Sequence, residues 1–115
     1  MPDAAVIMRQ GEKLPLYGQV TAESGTLTIS GQPTFTLYDS ANTAVGSLTA
    51  LNVTGYDHSA AVAPRAWYVL DTMTPVALAV GNYTAVFILP VTNSEDAIAR
   101  VFECSVDLRV DAPYA

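Results

Sequence analysis

Asp57, His58 and Ser59 stand side by side in this chain, and they are the residue types of a hydrolytic triad. Their spacing argues against that chemistry. A triad draws its nucleophile, base and orienting carboxylate together from separate parts of a fold, whereas three consecutive turn residues point apart. His58 is the only histidine, and it reads as an exposed loop residue that titrates near neutral pH. No catalytic residue is assigned, and the chain is read as a non-enzyme. Glu95 and Asp96 are the only adjacent acids, and Asn93 precedes them. They offer oxygens for at most a weak surface calcium site, and they read more simply as a solvated hairpin loop. No Cys–His or His–His spacing is present, so no metal and no other cofactor is expected. Cys104 is the single cysteine, which excludes an internal disulfide. It falls on the apolar side of its strand pattern with no basic neighbour there, as a small core residue does. Asn52-Val53-Thr54 and Asn82-Tyr83-Thr84 match the glycosylation sequon, a triplet that a Thr-rich chain produces by chance.

Tyr56, Pro64, Arg65, Trp67 and Tyr68 bracket a soft loop that contains His58. Aromatics with arginine are the residues enriched where interfaces concentrate their binding energy. The set is therefore a candidate interface. Trp67 carries two readings, an interface residue or the core tryptophan of a sandwich.

The elements that would position these residues are strands. Turn signals recur about every 8 to 12 residues, the spacing of many short strands. Pro33, Pro64, Pro75 and Pro90 interrupt any long helical pattern. Strands are expected over residues 4–8, 14–22, 26–30, 33–38, 47–54, 66–70, 83–89 and 100–110. The last is clearest: Phe102, Cys104, Val106, Leu108 and Val110 alternate with Val101, Glu103, Ser105, Asp107 and Arg109. A period of two with charges on one side marks a half-buried strand. Residues 72–78 read as one helical turn, with Thr74 as N-cap and Pro75 at the first helical position.

Leu78-Ala79-Val80-Gly81-Asn82-Tyr83 runs into the strand Thr84 to Leu89. Glycine supplies the positive φ of a tight turn. A tyrosine just inside the strand buries its ring and bonds backbone through its hydroxyl, as in the tyrosine corner of immunoglobulin-like sandwiches. Leu78, Gly81 and Tyr83 are thus the structural corner. If Tyr83 points inward, Ala85, Phe87 and Leu89 follow it, and Val86 and Ile88 are left on an apolar outer face. These two join the interface candidates. The fold expected is all-β, an immunoglobulin-like antiparallel β-sandwich of about 7–9 strands with a tyrosine corner. Residues 1–110 form one domain, and 111–115 form a C-terminal tail whose Tyr114 is a further interface candidate.

Composition bounds the partners. The 115 residues suffice for one core. Half are apolar, 14% are charged, and mean hydropathy is +0.29. So much apolar surface on a small domain implies contact with a partner. The net charge is −6, and Arg9, Lys13, Arg65, Arg100 and Arg109 are scattered. No basic stripe is present to neutralise phosphates, so neither nucleic acid nor an anionic membrane is an expected partner. The opening residues lack the basic and apolar segments of a signal peptide, so synthesis and retention in a cytoplasm are expected.

Val6-Ile7-Met8-Arg9-Gln10-Gly11-Glu12 resembles the start of small immunoglobulin-like proteins and domains in tailed-bacteriophage virions, including the N-terminal domains of some baseplate proteins. Phe35-Thr36-Leu37-Tyr38-Asp39 resembles a hairpin of that group. Leu78, Gly81, Tyr83 and Phe87, followed by residues 101–110, resemble its last two strands. The stretch 47–64 has no counterpart in the pattern. The resemblance implies a structural part of a capsid, neck, tail or baseplate, made in a host bacterial cytoplasm and located in the virion. It would contact itself or other virion proteins within a larger assembly. The alternative is a surface or secreted module that binds a carbohydrate or protein ligand; a leader peptide encoded upstream would favour it.

Overall fold

The computed structural model describes residues 6–21, 25–57, 63–74, 76–95 and 97–113. In chain order their strands are β1 (Val6–Arg9), β2 (Lys13–Gln19), β3 (Leu27–Ile29), β4 (Thr34–Asp39), β5 (Leu51–Asn52), β6 (Gly55–Asp57), β7 (Arg65–Asp71), β8 (Gly81–Asn93) and β9 (Ala99–Asp111). The chain is all-β, in two packed sheets. The larger has the order β1-β9-β8-β4-β5, and the smaller β2-β7-β6. All pairings are antiparallel except β1 on β9, which is parallel.

The β8–β9 ladder is the spine. It runs from Gly81↔Val110 to Thr92↔Ala99, which explains a molecule 52 Å long and only 24 × 23 Å across. One edge of β8 is shared. β4 covers Tyr83 to Ile88, and β3 covers Val91 to Asn93. Pro90 sits where one gives way to the other. Its carbonyl accepts the Ser30 N–H at 2.9 Å. A strand residue's N–H and C=O point to the same side, so the N–H that proline lacks falls at this break and costs the β8–β9 ladder nothing. β8 therefore continues four residues past the end at Leu89 that the sequence pattern predicts.

Alternation places the core between the sheets. Phe35, Leu37, Ala85, Phe87, Leu89, Leu108 and Val110 from the larger sheet meet Leu16, Ala66 and Leu70 from the smaller, all essentially without exposure. Phe35 stacks on Tyr68 across the gap, with ring centres 4.2 Å apart and planes 5° from parallel. It meets Phe87 edge-on at 5.3 Å. Gly18, buried on β2, lets the smaller sheet settle against the Phe87 ring. Phe102 and Val106 have the expected inward parity but are only half-buried, because β9 is a border strand along this stretch.

Three stretches depart from the expected elements. Residues 47–54 are not one strand. Gly46–Leu48 is a 3₁₀ turn that drops Leu48 into the core. Ala50 then takes φ 51°, a left-handed conformation that ends extended backbone, and its N–H is held by the Thr36 hydroxyl at 2.9 Å. Gly55–Asp57, outside every strand expected from the sequence, pairs with β7 as β6. The helical turn expected at 72–78 is a bend at its described residues, and Pro75 lies outside them. Thr72, fully buried, explains the bend. Its N–H and hydroxyl both donate to the Glu12 carbonyl, at 3.1 and 3.0 Å, and its hydroxyl accepts the Gly11 N–H at 2.8 Å. That knot ties the end of β7 to the β1–β2 turn.

Candidate functional site

The corner at the start of β8 is built from these constraints. Leu78 is buried, and its N–H donates to the Thr72 carbonyl at 2.8 Å. The Leu78 carbonyl accepts the Gln10 side-chain amide at 2.8 Å. The half-buried Tyr83 donates its hydroxyl to the Ala79 carbonyl at 2.7 Å. Burial, with the nearby Asp39 charge, raises the pKa of that hydroxyl. Gly81 opens β8 with the positive φ expected at a tight strand entry, 158°, at the extended edge of the range that L side chains rarely adopt.

Two outward sheet faces carry the remaining candidates. On the larger sheet, Val86, Ile88 and Pro90 of β8 form a half-exposed apolar row. Ladder pairing puts Ser105 beside Val86, Glu103 beside Ile88, and Val101 beside Pro90. Val101 is 65% exposed, and Ile98, before β9 begins, is 56% exposed. Thr34 and Thr36 flank the row from β4. Ile7 adds a further exposed apolar side chain on β1. The acids Glu103 and Asp107 share β9's outward side with Arg109, whose guanidinium reaches Asp111 at 3.0 Å.

The smaller sheet presents a different chemistry. Its register aligns Tyr17 with Trp67 and Trp67 with Gly55. Trp67 is on the outward side, so it is not the core tryptophan. Its indole lies over Gly55: a methyl group on that glycine would fall 2.7 Å from Cε2 and 3.0 Å from Nε1. Tyr17, 56% exposed, stands beside it with ring centres 6.3 Å apart and planes tilted by 43°. The next row of the same face is Gln19, Arg65 and Asp57. Arg65 grips Asp57 with two bonds, Nε to Oδ1 at 2.8 Å and Nη2 to Oδ2 at 3.1 Å. The hydrogen bond to the Asp57 carboxylate, with its charge, pushes the Arg65 pKa up. Pro15 and Val69 form the row on the other side, followed by Lys13 opposite Asp71.

The structure thus divides the aromatic set drawn from sequence. Arg65 and Trp67 share one outer face. Tyr68 turns inward onto Phe35 and is half-buried, and Pro64 is buried with its carbonyl accepting the Val20 N–H at 3.1 Å. Tyr56 is exposed on the border strand β6. His58 and Tyr114 lie outside the described residues, as does Asp96 of the acidic hairpin pair. Cys104 is half-buried, its Sγ 3.5 Å from the Gln19 carbonyl. Asp111, assigned to a tail, is the last residue of β9 and pairs with Arg9. Tyr17 was missed; its alternation against Leu14 and Leu16 was the available signal. Among the described residues, no group of three His, Cys, Asp or Glu side chains converges as metal ligands do. No protein-family model matches this sequence, and no curated protein is significantly similar to it.

Proposed function

We propose that this chain is a non-enzymatic structural module of a tailed-bacteriophage particle, an immunoglobulin-like sandwich that assembles through the outer face of its larger sheet. The strand order supports the immunoglobulin-like reading. In that reading β9, β8 and β4 are taken as strands G, F and C, with β5 beside them, and β2, β7 and β6 as B, E and D. Tyr83, at the start of β8, stands where that fold carries its tyrosine corner. The phage setting rests on the sequence resemblance at Val6 to Glu12, Phe35 to Asp39 and Leu78 to Phe87.

The observation that carries an assembly role is the row Val86, Ile88 and Pro90 continued by Val101. It forms an apolar strip with serine, threonine and Glu103 at its margins. Apolar centres with polar rims are how protein interfaces are built, and a stable one buries about 1,000 Å² or more. Co-sedimentation with purified particles, and light scattering of the isolated chain, test the reading. Ile88→Asp and Val101→Asp should abolish association while the fold persists, and association of the parent should survive high salt because few charges are available to screen. A chain that stays monomeric and never accompanies particles would overturn it.

A further inference from the structure

The geometry points to a second binding surface on the opposite sheet: Tyr17 and Trp67 form a stacking platform for a neutral saccharide. This inference does not depend on the phage setting or on the assembly face. Three observations carry it. The first is ring presentation. Gly55 leaves space for the indole of Trp67 to lie along the sheet, and Tyr17 extends the aromatic surface with a ring that is more than half exposed. Aromatic π-faces attract slightly positive C–H edges, and one face of a pyranose ring is a set of such C–H bonds.

The second is the polar edge. Arg65, Asp57 and Gln19 form the adjoining row. Arg65 donates, Asp57 accepts and Gln19 does both, a planar set that matches the equatorial hydroxyls of a sugar stacked beside it. The third is charge. The Arg65 guanidinium is held in a two-bond pair by Asp57, and Lys13 faces Asp71 at the other end of the same face. Each cation on the platform thus has an acid opposite it, which favours a neutral ligand. Nucleobases also stack on aromatic rings, but their phosphates would meet a chain of net charge −6.

Trp67 is the only tryptophan, so its emission reports occupancy directly. Cellohexaose and chitohexaose titrated into the full chain should each give, or one of them should give, a saturable change in that emission. Tyr17→Ala should weaken binding about five- to tenfold, the loss expected for one stacking ring. Tyr17→Phe should retain binding, and Ile7→Ala, on the other sheet, should leave it unchanged. Should Tyr17→Ala fail to fold, Tyr17→Thr carries the same test with a better strand former. Four results would overturn the inference: no saturable change with either sugar, undiminished binding in the Tyr17 variant, a thymidine hexanucleotide binding as tightly as the sugars, or an emission change on simple dilution that Tyr17→Ala abolishes. The last would show a second copy of the chain on this face.

Discussion

Gly18→Ala tests how closely the two sheets meet. The new methyl carbon would fall 2.7 Å from Phe87 Cδ2, 2.8 Å from Cγ and 2.9 Å from Cβ. Each distance is well inside carbon–carbon contact. The Cβ is the decisive atom, since it moves only with the β8 backbone. The ring cannot swing away freely either. Phe87 is wholly buried and meets Phe35 edge-on, and Phe35 is itself stacked on Tyr68. Forcing a methyl group into such a core costs about 1–3 kcal/mol. The substitution also reduces the freedom of the unfolded chain, which offsets about 0.4–1 kcal/mol, because Gly18 has no positive φ that alanine would resist. The net expectation is a destabilisation of about 1–2 kcal/mol, or roughly 4–8 °C in Tm for a domain of this size. Urea unfolding followed by Trp67 emission should show a lower midpoint at unchanged slope. Gly46→Ala is the matched control: nothing lies within 4 Å of its added carbon, so only the unfolded-state effect remains and stability should hold or rise slightly. Phe87→Leu placed in the Gly18→Ala background should cost less than it does alone, because it removes the clash. A Gly18→Ala protein as stable as its parent would refute the contact geometry on which the sheet packing rests.

Tyr83→Phe should cost about 1 kcal/mol by deleting the bond to Ala79, measured as a urea midpoint shift; no shift would mean the corner contributes nothing to stability. Alkaline pH should destabilise the fold. Burial raises the pKa of Tyr68, and burial with the Asp39 charge raises that of Tyr83, both above the ordinary 10.0. Above that value the unfolded chain loses these protons first, so the folded state binds more protons and stability falls until the folded hydroxyls ionise too. The loss should be smaller in Tyr83→Phe, and a stability that rises between about pH 9 and about pH 11 would contradict the sign.

The parity of the long strands was legible for two different reasons, a contrast between the sides of β9 and a single marker residue in β8. In β9, Phe102 to Val110 alternate with acids, serine and arginine, and Leu108 and Val110 are buried while Glu103 and Arg109 are exposed. In β8, Tyr83 set the register and Val86 and Ile88 fell outward. Strand β7 offers contrast only at its ends, where Arg65 and Asp71 share the parity of Trp67 and Val69. Within the expected strand 66–70, Trp67 and Val69 are as apolar as Ala66, Tyr68 and Leu70, so periodicity there could not say which aromatic faced water. The extent of burial was not legible either. Parity states which way Phe102 points, but only the sheet order reveals that β9 is at a border there. Residues 47–54 carry strand-forming types, yet the left-handed Ala50 is imposed by tertiary contacts, Leu48 in the core and the Thr36 hydroxyl on the Ala50 N–H, that no local pattern encodes.

The smaller sheet uses glycine twice, on opposite sides, and the contrast separates what holds the fold from what it displays. Gly18 faces inward, where the missing side chain is replaced by the Phe87 ring and the two sheets lock. Gly55 faces outward, where the missing side chain is replaced by the Trp67 indole and no second sheet follows. The first arrangement removes apolar surface from water completely. The second leaves Trp67 half-exposed with Tyr17 beside it, so it forgoes part of the burial energy an indole can supply. A polar outer residue would serve a purely structural β7 as well at that position, whereas a ring laid flat and flanked by Arg65 and Asp57 has the composition of a surface that binds. Among the described residues, the ladder partners beside Val86 and Ile88 on the larger sheet's strip are threonine, serine and Glu103, with no aromatic ring. That difference in chemistry is why different partners are proposed for the two faces, one held by shape and apolar contact, the other by stacking.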